Sequence, residues 1–211
     1  MKVELISYTP GAEELCGKAA AVCTASDRPL KSLEHALASG HTSVLEHAVF
    51  TFQVEGLSRA ALAQLTRHRL ASFDVQSQRY VRIHGIDLVI PESIRNSDFY
   101  TEAGSLMEDV MNLYQRMCDA GIPAEDARYI TPQAVPTQLI MTMNARELLH
   151  FFSLRTCNRA QWEIRKLADR MLRLCREKAP GLFYDAGPGC VTGKCSEKKP
   201  CGHPRDKSGL A

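Results

Sequence analysis

Apolar residues recur along the chain at two kinds of spacing, and together these predict a protein of mixed helix and strand. Spacings of three and four residues are typical of helices, whereas short runs rich in valine, phenylalanine and threonine are typical of strands. Helical spacing covers seven stretches: 11–25, 30–39, 57–68, 98–120, 124–130, 144–154 and 161–178. Strand-like runs cover three: 2–8, 48–54 and 138–142. Helix therefore outweighs sheet, and we predict an α+β fold in one domain.

Glycine and proline mark the breaks between these elements. Gly40 is predicted to end the helix over 30–39. Gly56 is predicted to end the strand over 48–54. Residues 69–97 are predicted to be irregular, apart from short extended pieces at 80–83 and 87–90. The buried side of the long helix is predicted to carry four apolar residues: Leu106, Val110, Leu113 and Met117.

The composition of the chain changes near residue 187. Residues 187–211 are rich in glycine, proline, lysine and cysteine, and they carry almost nothing to bury. Such a stretch is predicted to be a tail that is mobile unless something ties it down. We therefore predict one folded domain over 1–186, followed by this tail.

Composition and charge narrow the class of protein. The 211 residues are 45% hydrophobic and 24% charged, as in an ordinary globular protein, and the formal net charge is +2. A chain with so small a net charge has no overall electrostatic field that would favour nucleic acid or an anionic membrane as a partner. No apolar run approaches the roughly 20 residues that span a bilayer, and the first residues lack the apolar stretch of a secretory signal. We expect a cytoplasmic protein.

The eight cysteines form two groups. Five lie within helical patterns and are predicted to be small core residues: Cys16, Cys23, Cys118, Cys157 and Cys175. The other three lie in the tail, where Cys190, Cys195, Cys201 and His203 offer soft ligand atoms of the kind that binds zinc. The tail lacks the C-x-x-C spacing usual in zinc sites, so reduced thiols are favoured and no metal site is predicted.

The densest group of polar side chains spans residues 67–80. It contains three arginines, a histidine, two serines and two glutamines just past a predicted helix end. Arginine forks match the geometry of phosphate and carboxylate groups. Serine and glutamine can hydrogen-bond the amide-like edge of a pyrimidine or flavin ring. The stretch is thus suited to a phosphorylated heterocycle, although on charge alone a solvated basic turn is the favoured alternative.

Two further groups of basic residues change that balance. Arg128 follows a short helix, whereas Asn144 and Arg146 open a later helix that also carries His150 and Arg155. A helix start flanked by asparagine and arginine suits an anion or a carbonyl oxygen, although each arginine taken alone is better explained as a surface salt bridge. A nucleic-acid surface would use similar arginines, but a nearly neutral chain with few aromatic residues is a poor candidate for one.

Six polar residues in the dense stretch share the spacing of a known signature, R-H-R-x-x-S-x-x-x-x-S-x-R. They are Arg67, His68, Arg69, Ser72, Ser77 and Arg79. In these positions the chain resembles the flavin-dependent thymidylate synthases. The resemblance extends to segments on both sides: 40–47, Gln64, 144–146, 154–155 and 160–164. It covers the chain from about residue 2 to residue 185.

The resemblance implies a fold, an assembly and a reaction. The family's fold has a central, mostly antiparallel sheet flanked by long helices, and its homotetramer forms active sites where subunits meet. The implied reaction is the reductive methylation of dUMP to dTMP. Its methylene comes from 5,10-methylenetetrahydrofolate, and its hydride comes from FAD that NADPH has reduced. The implied partners are dUMP, the folate and further copies of the chain, with residues 1–186 as the catalytic domain.

Site residues carry over from the family position by position. The implied FAD contacts are Ser43, Arg67, His68, Arg69, Asn144, Arg146 and His150, with His41 on the flavin and folate side. The implied dUMP contacts are Gln64, Arg67, Gln76, Ser77, Gln78, Arg79, Arg128 and Arg155. Arg155 is the implied catalytic residue, because a fixed cation beside the uracil ring stabilises the negative charge that develops there.

The pair Asp74 and Val75 departs from the family. Many relatives carry a polar pair at these positions, often ending in glutamate or glutamine, whereas Val75 can offer FAD only its backbone. Gln76 or Asp74 can substitute for the missing side-chain contact. We therefore expect an altered affinity and an intact reaction.

No side chain is favoured as a covalent nucleophile. Ser77 has no base spaced to activate it, so this serine is expected to position dUMP. The classical thymidylate synthases make the same product with a cysteine, but their Pro-Cys-His signature is absent here. Cys157 is therefore favoured as a structural thiol.

Overall fold

The computed structural model describes residues 1–84, 87–195 and 197–206 of the chain. The strands in these ranges are β1 (Lys2–Tyr8), β2 (Val49–Ser58), β3 (Ala71–Val75) and β4 (Pro136–Asn144). The α-helices are α1 (Ala12–Thr24), α2 (Pro29–Ala38), α3 (Arg59–Leu65), α4 (Glu92–Arg95), α5 (Tyr100–Asp119), α6 (Ala124–Ala127), α7 (Ala145–Arg155), α8 (Trp162–Lys178), α9 (Pro180–Phe183) and α10 (Gly189–Thr192). Short 3₁₀ helices cover Thr42–His47 and Arg128–Ile130. None of these helices is both long and apolar enough to cross a membrane.

The strands form one antiparallel sheet in the order β1-β2-β4-β3. Phe52 of β2 and Met141 of β4 lie opposite each other, and both are fully buried. Helix α8 lies against β1 and β2. Phe183 meets Phe50 and Phe152 edge to face, at ring-centroid separations of 5.3 and 5.9 Å. The core lies between the sheet and the helices that follow β4, so the predicted single domain of mixed helix and antiparallel sheet is confirmed.

Every helix and strand predicted from the apolar pattern is present, with ends shifted by a few residues. The prediction that Gly56 ends a strand is wrong, because β2 runs on to Ser58. Gly56 has a φ of +74° and lies at a bulge between Glu55 and Leu57 in the pairing with β4. Glycine adopts this left-handed conformation without a steric penalty, so the strand bends and continues. β2 thereby leads directly into α3.

Strand β3 lies in the stretch that was predicted to be irregular. Its residues Ala71, Phe73 and Val75 pack against the core, whereas the two residues between them are exposed. This period of two is a strand signal. The two exposed positions are the polar Ser72 and Asp74, and Ser72 belongs to the signature, so composition favoured a loop.

The predicted buried stripe of α5 is wrong in part. Leu106 and Leu113 are 63% and 41% exposed, whereas Tyr114 and Cys118 are buried. The buried pair belongs to a second, smaller cluster under the loop that follows the signature. There the Tyr114 hydroxyl accepts a hydrogen bond from Ile83 N at 3.2 Å. Helical spacing alone does not say which side of a helix meets the core when apolar residues lie on both.

The prediction of buried helical cysteines holds for Cys16, Cys118 and Cys175. Burial raises the pKa of the Cys175 thiol well above its ordinary value. The prediction is wrong for Cys23, which is exposed near the end of α1, and for Cys157, which is only partly buried. Cys157 lies in the turn between α7 and α8, where the chain has left the helical pattern.

The described part of the tail lies against the core, which the sequence did not predict. The Arg205 guanidinium donates to Thr156 O at 2.8 Å and to both oxygens of Asp169 at 2.8 and 2.9 Å. Asn158 Nδ2 donates to His203 O at 2.6 Å. These bonds tie the tail to α8 and to the turn that precedes it.

A buried carboxylate holds the start of α3, the helix that leads into the signature. Glu163 of α8 accepts from Ser58 N at 2.7 Å and from Ser58 Oγ at 2.5 Å. The same hydroxyl oxygen accepts from Ala61 N at 3.1 Å and so caps α3. Glu163 is only 2% exposed, so water cannot replace these bonds.

Replacing Glu163 with alanine is expected to lower the free energy of unfolding by about 1–3 kcal/mol, because the buried Ser58 N–H loses its acceptor. Urea unfolding measures the change. Glu177→Ala, which removes an exposed carboxylate from the same helix, is the matched control and is expected to change stability by less than about 0.5 kcal/mol. Equal small changes in both variants would show that the Ser58 contact does not stabilise the fold.

Candidate active site

The topology brings the first half of the signature beside helix α7. The basic triplet 67–69 lies between α3 and β3, and β3 pairs with β4 with Ala71 opposite Met143. The next residue of β4 is Asn144, which caps α7. The triplet therefore lies where α7 begins.

His68 is the centre of a buried hydrogen-bonded chain. Its side chain is 3% exposed. Ring atom Nδ1 lies 2.9 Å from Glu147 Oε1, and Arg155 Nε donates to ring atom Nε2 at 3.1 Å. Because Nε2 accepts, the ring proton is on Nδ1, which donates it to the carboxylate. The chain runs from carboxylate through neutral imidazole to guanidinium.

Burial and a neighbouring cation favour the neutral imidazole. Burial lowers the pKa of His68 below its ordinary value of 6.5, against the effect of the Glu147 hydrogen bond. The Arg155 cation lowers this pKa further. His68 therefore serves Arg155 as a neutral acceptor.

We expect protonation of His68 to destabilise the protein as the pH falls. The unfolded chain binds the proton near pH 6.5, whereas the folded chain binds it only at lower pH. The contribution of His68 to stability is complete above about pH 6.5 and is lost below it, at up to about 1.4 kcal/mol per pH unit. Urea unfolding of the native chain and of His68→Asn across this range measures the contribution as a difference. A difference that does not change with pH would contradict the assignment.

Arg155, the last residue of α7, is half-buried beside His68. Its Nη2 lies 3.5 Å from Gln64 O, at the long limit for a hydrogen bond. Burial lowers the pKa of Arg155, and the cation of Arg67 lowers it further. Two cations thus face the same region, where a developing negative charge would be stabilised.

The start of α7 carries another basic side chain. Asn144 Oδ1 accepts from Glu147 N at 2.9 Å, so Asn144 caps the helix as predicted. Arg146 Nη1 lies 2.5 Å from Glu46 Oε1 in the first 3₁₀ helix. Ser43 belongs to the same 3₁₀ helix. Two of the predicted FAD contacts, Ser43 and Arg146, therefore lie on elements joined by an ion pair.

A cavity of about 630 Å³ lies between α1, α2 and this 3₁₀ helix. His41 and Ser43 line it, together with Arg28, Lys31 and His35. Its volume suits part of a large organic ligand, and its basic residues suit phosphate groups. No sequence pattern indicated Arg28 and Lys31, because only the fold brings the start of α2 beside the 3₁₀ helix.

Three potential metal ligands also meet near His68. The ligand atoms of His68, Glu147 and His150 lie within 4.8 Å of one another, the one such group among the described residues. Both ring nitrogens of His68 already have partners, and one partner is the Arg155 cation. A metal ligand must offer a free lone pair, so we assign no metal to this group.

The second half of the signature lines a smaller cavity of about 190 Å³. Gln76, Ser77 and Gln78 border it, together with Arg59 of α3. Two buried donors here, Arg59 Nε and Gln78 Nε2, have no hydrogen-bond partner within the described ranges. Buried donors without acceptors are costly. The cavity is therefore suited to a ligand with acceptor oxygens.

Glu125 of α6 connects the two remaining predicted dUMP cations. Arg79 Nε donates to Glu125 Oε2 at 2.7 Å, and Arg128 Nε donates to Glu125 O at 3.0 Å. Burial lowers the pKa of Arg59, and the Arg128 cation lowers it further, so Arg59 lies near this pair. A bound phosphate would compete with the Glu125 carboxylate for Arg79.

The predicted site residues fall into groups around His68, around the larger cavity and around Glu125. Of the signature residues, Arg67, Arg69, Ser72 and Arg79 are exposed. Val75 packs its side chain against the core, which leaves only its backbone for a ligand. Within the described part of the chain, no hydrogen bond or ion pair joins the His68 group to the Glu125 group.

Sequence reasoning missed Glu147, the carboxylate that fixes the tautomer of His68. The spacing Asn144-x-x-Glu147 is that of a capping box, which was the available signal. That motif turns the carboxylate back toward its own helix start. Here Glu147 instead reaches His68, because the fold buries the imidazole beside it.

The cationic groups suit ligands that carry phosphate, and comparison with known proteins gives the family. The sequence model of the thymidylate synthase complementing proteins matches residues 4–181. The chain therefore belongs to the thymidylate synthase complementing protein family. The resemblance seen in the signature is confirmed.

Individual relatives agree with this assignment. A flavin-dependent thymidylate synthase of Geobacter sulfurreducens is 48% identical over 212 residues, which cover 93% of this chain and 91% of the relative. One of Clostridium tetani is 38% identical over 229 residues, with the same coverage of 93% and 91%. The crystal structure of a flavin-dependent thymidylate synthase from Helicobacter pylori, complexed with FAD and dUMP, has a TM-score of 0.72 at 28% identity. That match covers 89% of this chain and 100% of the other.

Proposed function

We propose that this protein is a flavin-dependent thymidylate synthase that methylates dUMP to dTMP through its domain over 1–186. The observation that carries the proposal is the complete signature with His68 held between Glu147 and Arg155. Two relatives of that name match 93% of the chain, at 48% and 38% identity. The proposed methylene donor is 5,10-methylenetetrahydrofolate, and the proposed reductant is NADPH.

The dUMP site is proposed to use the residues carried over from the family. They are Gln64, Arg67, Gln76, Ser77, Gln78, Arg79, Arg128 and Arg155. The phosphate needs charge-assisted donors, which Arg79 and Arg128 supply. In the same region the buried donors Arg59 Nε and Gln78 Nε2 have no partner among the described residues, so acceptor oxygens of a ligand would satisfy them.

The FAD site is proposed to lie along the signature triplet and the start of α7. The proposed contacts are His41, Ser43, Arg67, His68, Arg69, Val75, Asn144, Arg146 and His150. Exposed arginines at a helix N-terminus fit the negative pyrophosphate of this cofactor, and the adjoining cavity of about 630 Å³ gives it room. When bound there, FAD would supply the hydride and the redox chemistry for the transfer of the methylene carbon to uracil C5.

Arg155 is proposed to stabilise the negative charge that develops on the uracil ring. His68 accepts from its Nε and so fixes the plane of the guanidinium, while Glu147 fixes the tautomer of His68. Ser77 Oγ accepts from Arg79 N at 3.1 Å. Among the described residues no base contacts this hydroxyl, which supports a positioning role for Ser77.

A homotetramer with shared active sites is proposed as the working assembly. Residues proposed to bind dUMP belong both to the His68 group and to the Glu125 group, and in the described parts of one chain no polar bond joins them. In the family that the chain resembles, each active site draws on more than one chain, so a second copy is proposed to complete the site. Light scattering is expected to give four chains per particle, and a fully active monomer would contradict the proposal.

A cytoplasmic location fits the eight unpaired cysteines, because a reducing compartment keeps thiols free.

Tritium release from dUMP labelled at uracil C5 tests the proposed reaction. The purified protein is assayed with FAD, NADPH and methylenetetrahydrofolate together, and then with each omitted in turn. We expect release that requires the flavin and the reductant, accompanied by formation of dTMP. Replacement of NADPH by NADH in the same assay measures the preference for the reductant.

Two results would contradict this function. Flavin-loaded, folded protein that releases no tritium would show that the signature binds ligands without turnover. Salt-sensitive binding to DNA without any bound flavin would instead favour a nucleic-acid protein.

A further inference from the structure

The tail and the turn between α7 and α8 bring four cysteines to one pocket. Cys190, Cys195 and Cys201 of the tail and Cys157 of the turn all line a cavity of about 220 Å³. Cys157 is far from the others in sequence, so only the fold reveals that it joins them. All four thiols are free and partly buried.

Three of these sulfur atoms accept hydrogen bonds from backbone N–H groups. Arg159 N donates to Cys157 Sγ at 3.5 Å, and His203 N donates to Cys201 Sγ at 3.4 Å. In both cases the donor lies two residues after the cysteine. Arg205 N donates to Cys190 Sγ at 3.4 Å. Cys201 Sγ in turn donates to His203 O at 3.3 Å. These bonds hold three of the four sulfur atoms at the pocket, and metals bind cysteine as the thiolate.

We propose that Cys157, Cys190, Cys195 and Cys201 bind one Zn²⁺ ion as four thiolates. A set of four thiolates suits the tetrahedral, redox-inert Zn²⁺ ion of structural sites. Each thiol loses its proton to solvent on binding, so the ion and its ligands carry a net charge of −2. Arg159 and Arg205 also line the pocket and bring positive charge to its surroundings.

The sulfur atoms surround the pocket more widely than a bound ion would hold them. No three of them are mutually within 4.8 Å, since the one group that meets this limit in the described ranges is near His68. In a tetrahedral site with Zn–S bonds of about 2.3 Å, neighbouring sulfurs are about 3.8 Å apart. Zn²⁺ would therefore draw the four sulfur atoms closer together.

A zinc ion at this place would fasten the tail to the end of α7. Arg205 already donates to Thr156 O, directly after the proposed catalytic Arg155. Arg159 of the same turn also contacts the tail, through a hydrogen bond to Lys199 O and an ion pair with Glu197. The ion would add to these polar contacts bonds that do not exchange readily with water.

The metal content of the purified full-length chain tests the proposal. Protein made without a histidine tag, with zinc in the medium and no chelator, is expected to hold about one Zn²⁺ per chain by elemental analysis. Serine at any one of the four positions is expected to lower the zinc content by about tenfold or more. Cys23→Ser removes an exposed thiol on α1 and is the matched control, which should keep its zinc.

Two further measurements do not depend on the variants folding. Titration of the native protein with a mercurial should release zinc to a chromogenic chelator in step with modification of the accessible thiols. Exchange of zinc for Co²⁺ should give thiolate-to-cobalt charge-transfer absorption and the visible bands of a tetrahedral ion. Neither readout requires turnover, so failure of the proposed thymidylate synthase activity would leave this test unaffected.

Several results would overturn the zinc site. One is native protein without metal and without a cobalt spectrum; another is a disulfide among these cysteines in protein purified under reducing conditions. Iron and acid-labile sulfide in place of zinc would show a cluster instead. Loss of zinc in His203→Ala with full retention in Cys195→Ser would overturn the set of four thiolates.

Discussion

Replacing Arg155 with alanine is expected to leave a folded, flavin-binding protein whose kcat falls by about 10²–10³-fold, the loss usual when one fixed donor to a developing charge is removed. The guanidinium is held by His68 Nε2 and lies near Gln64 O. A group positioned in advance beside the uracil ring needs no reorganisation as charge develops. Stopped-flow reduction of the flavin and steady-state formation of dTMP separate the two half-reactions.

The flavin is expected to remain bound to the Arg155→Ala variant. Most proposed FAD contacts lie elsewhere, on the first 3₁₀ helix, the signature triplet and the start of α7. Absorbance of the purified variant gives the ratio of FAD to protein, which should match that of the native chain. Flavin reduction by NADPH should also be unchanged, because Arg155 is proposed to act on the nucleotide.

Arg155→Lys is the matched control for charge. Lysine keeps the positive charge but lacks the planar fork that bonds His68 and reaches toward the substrate. We expect it to recover only part of the lost kcat. Normal turnover in the alanine variant, or loss of flavin and thermal stability along with turnover, would contradict a catalytic role for Arg155.

The second large effect is expected from Arg79→Ala, which should raise KM for dUMP by about 10–100-fold, the equivalent of about 1.5–3 kcal/mol for a hydrogen bond to a charged group. In the structure Arg79 Nε donates to Glu125, and its side chain is 54% exposed, so it is accessible to a phosphate. A residue that binds the phosphate equally in the ground state and the transition state changes KM and leaves kcat nearly constant.

Steady-state kinetics with dUMP as the varied substrate checks this expectation. Arg116→Ala, which removes an exposed arginine from α5, is the control for the loss of one positive charge. An unchanged KM in Arg79→Ala would show that Arg79 serves only its ion pair with Glu125. A fall in kcat without a change in KM would instead place Arg79 at the reacting ring.

Local sequence determined most of the secondary structure. Helical spacing and valine- and phenylalanine-rich runs give the elements their positions, because these patterns express which side of each element can be buried. Asn144 was predicted to open a helix, and it caps α7. The sequence also determined the family, since six polar residues at fixed spacing in 67–79 specify a site chemistry independently of the surrounding fold.

Only the tertiary structure decided which of these residues contact one another. Glu147 meets His68 across 79 positions of sequence, and Cys157 shares a pocket with the tail cysteines because the tail folds back on the turn after α7. Such pairings carry no periodic signal, since they depend on where separate elements are packed. The same holds for α5, where packing buries Tyr114 and leaves Leu113 exposed. The spacing of apolar residues along a chain shows which residues can be buried together. The packing of the helices and strands against one another decides which of them are buried.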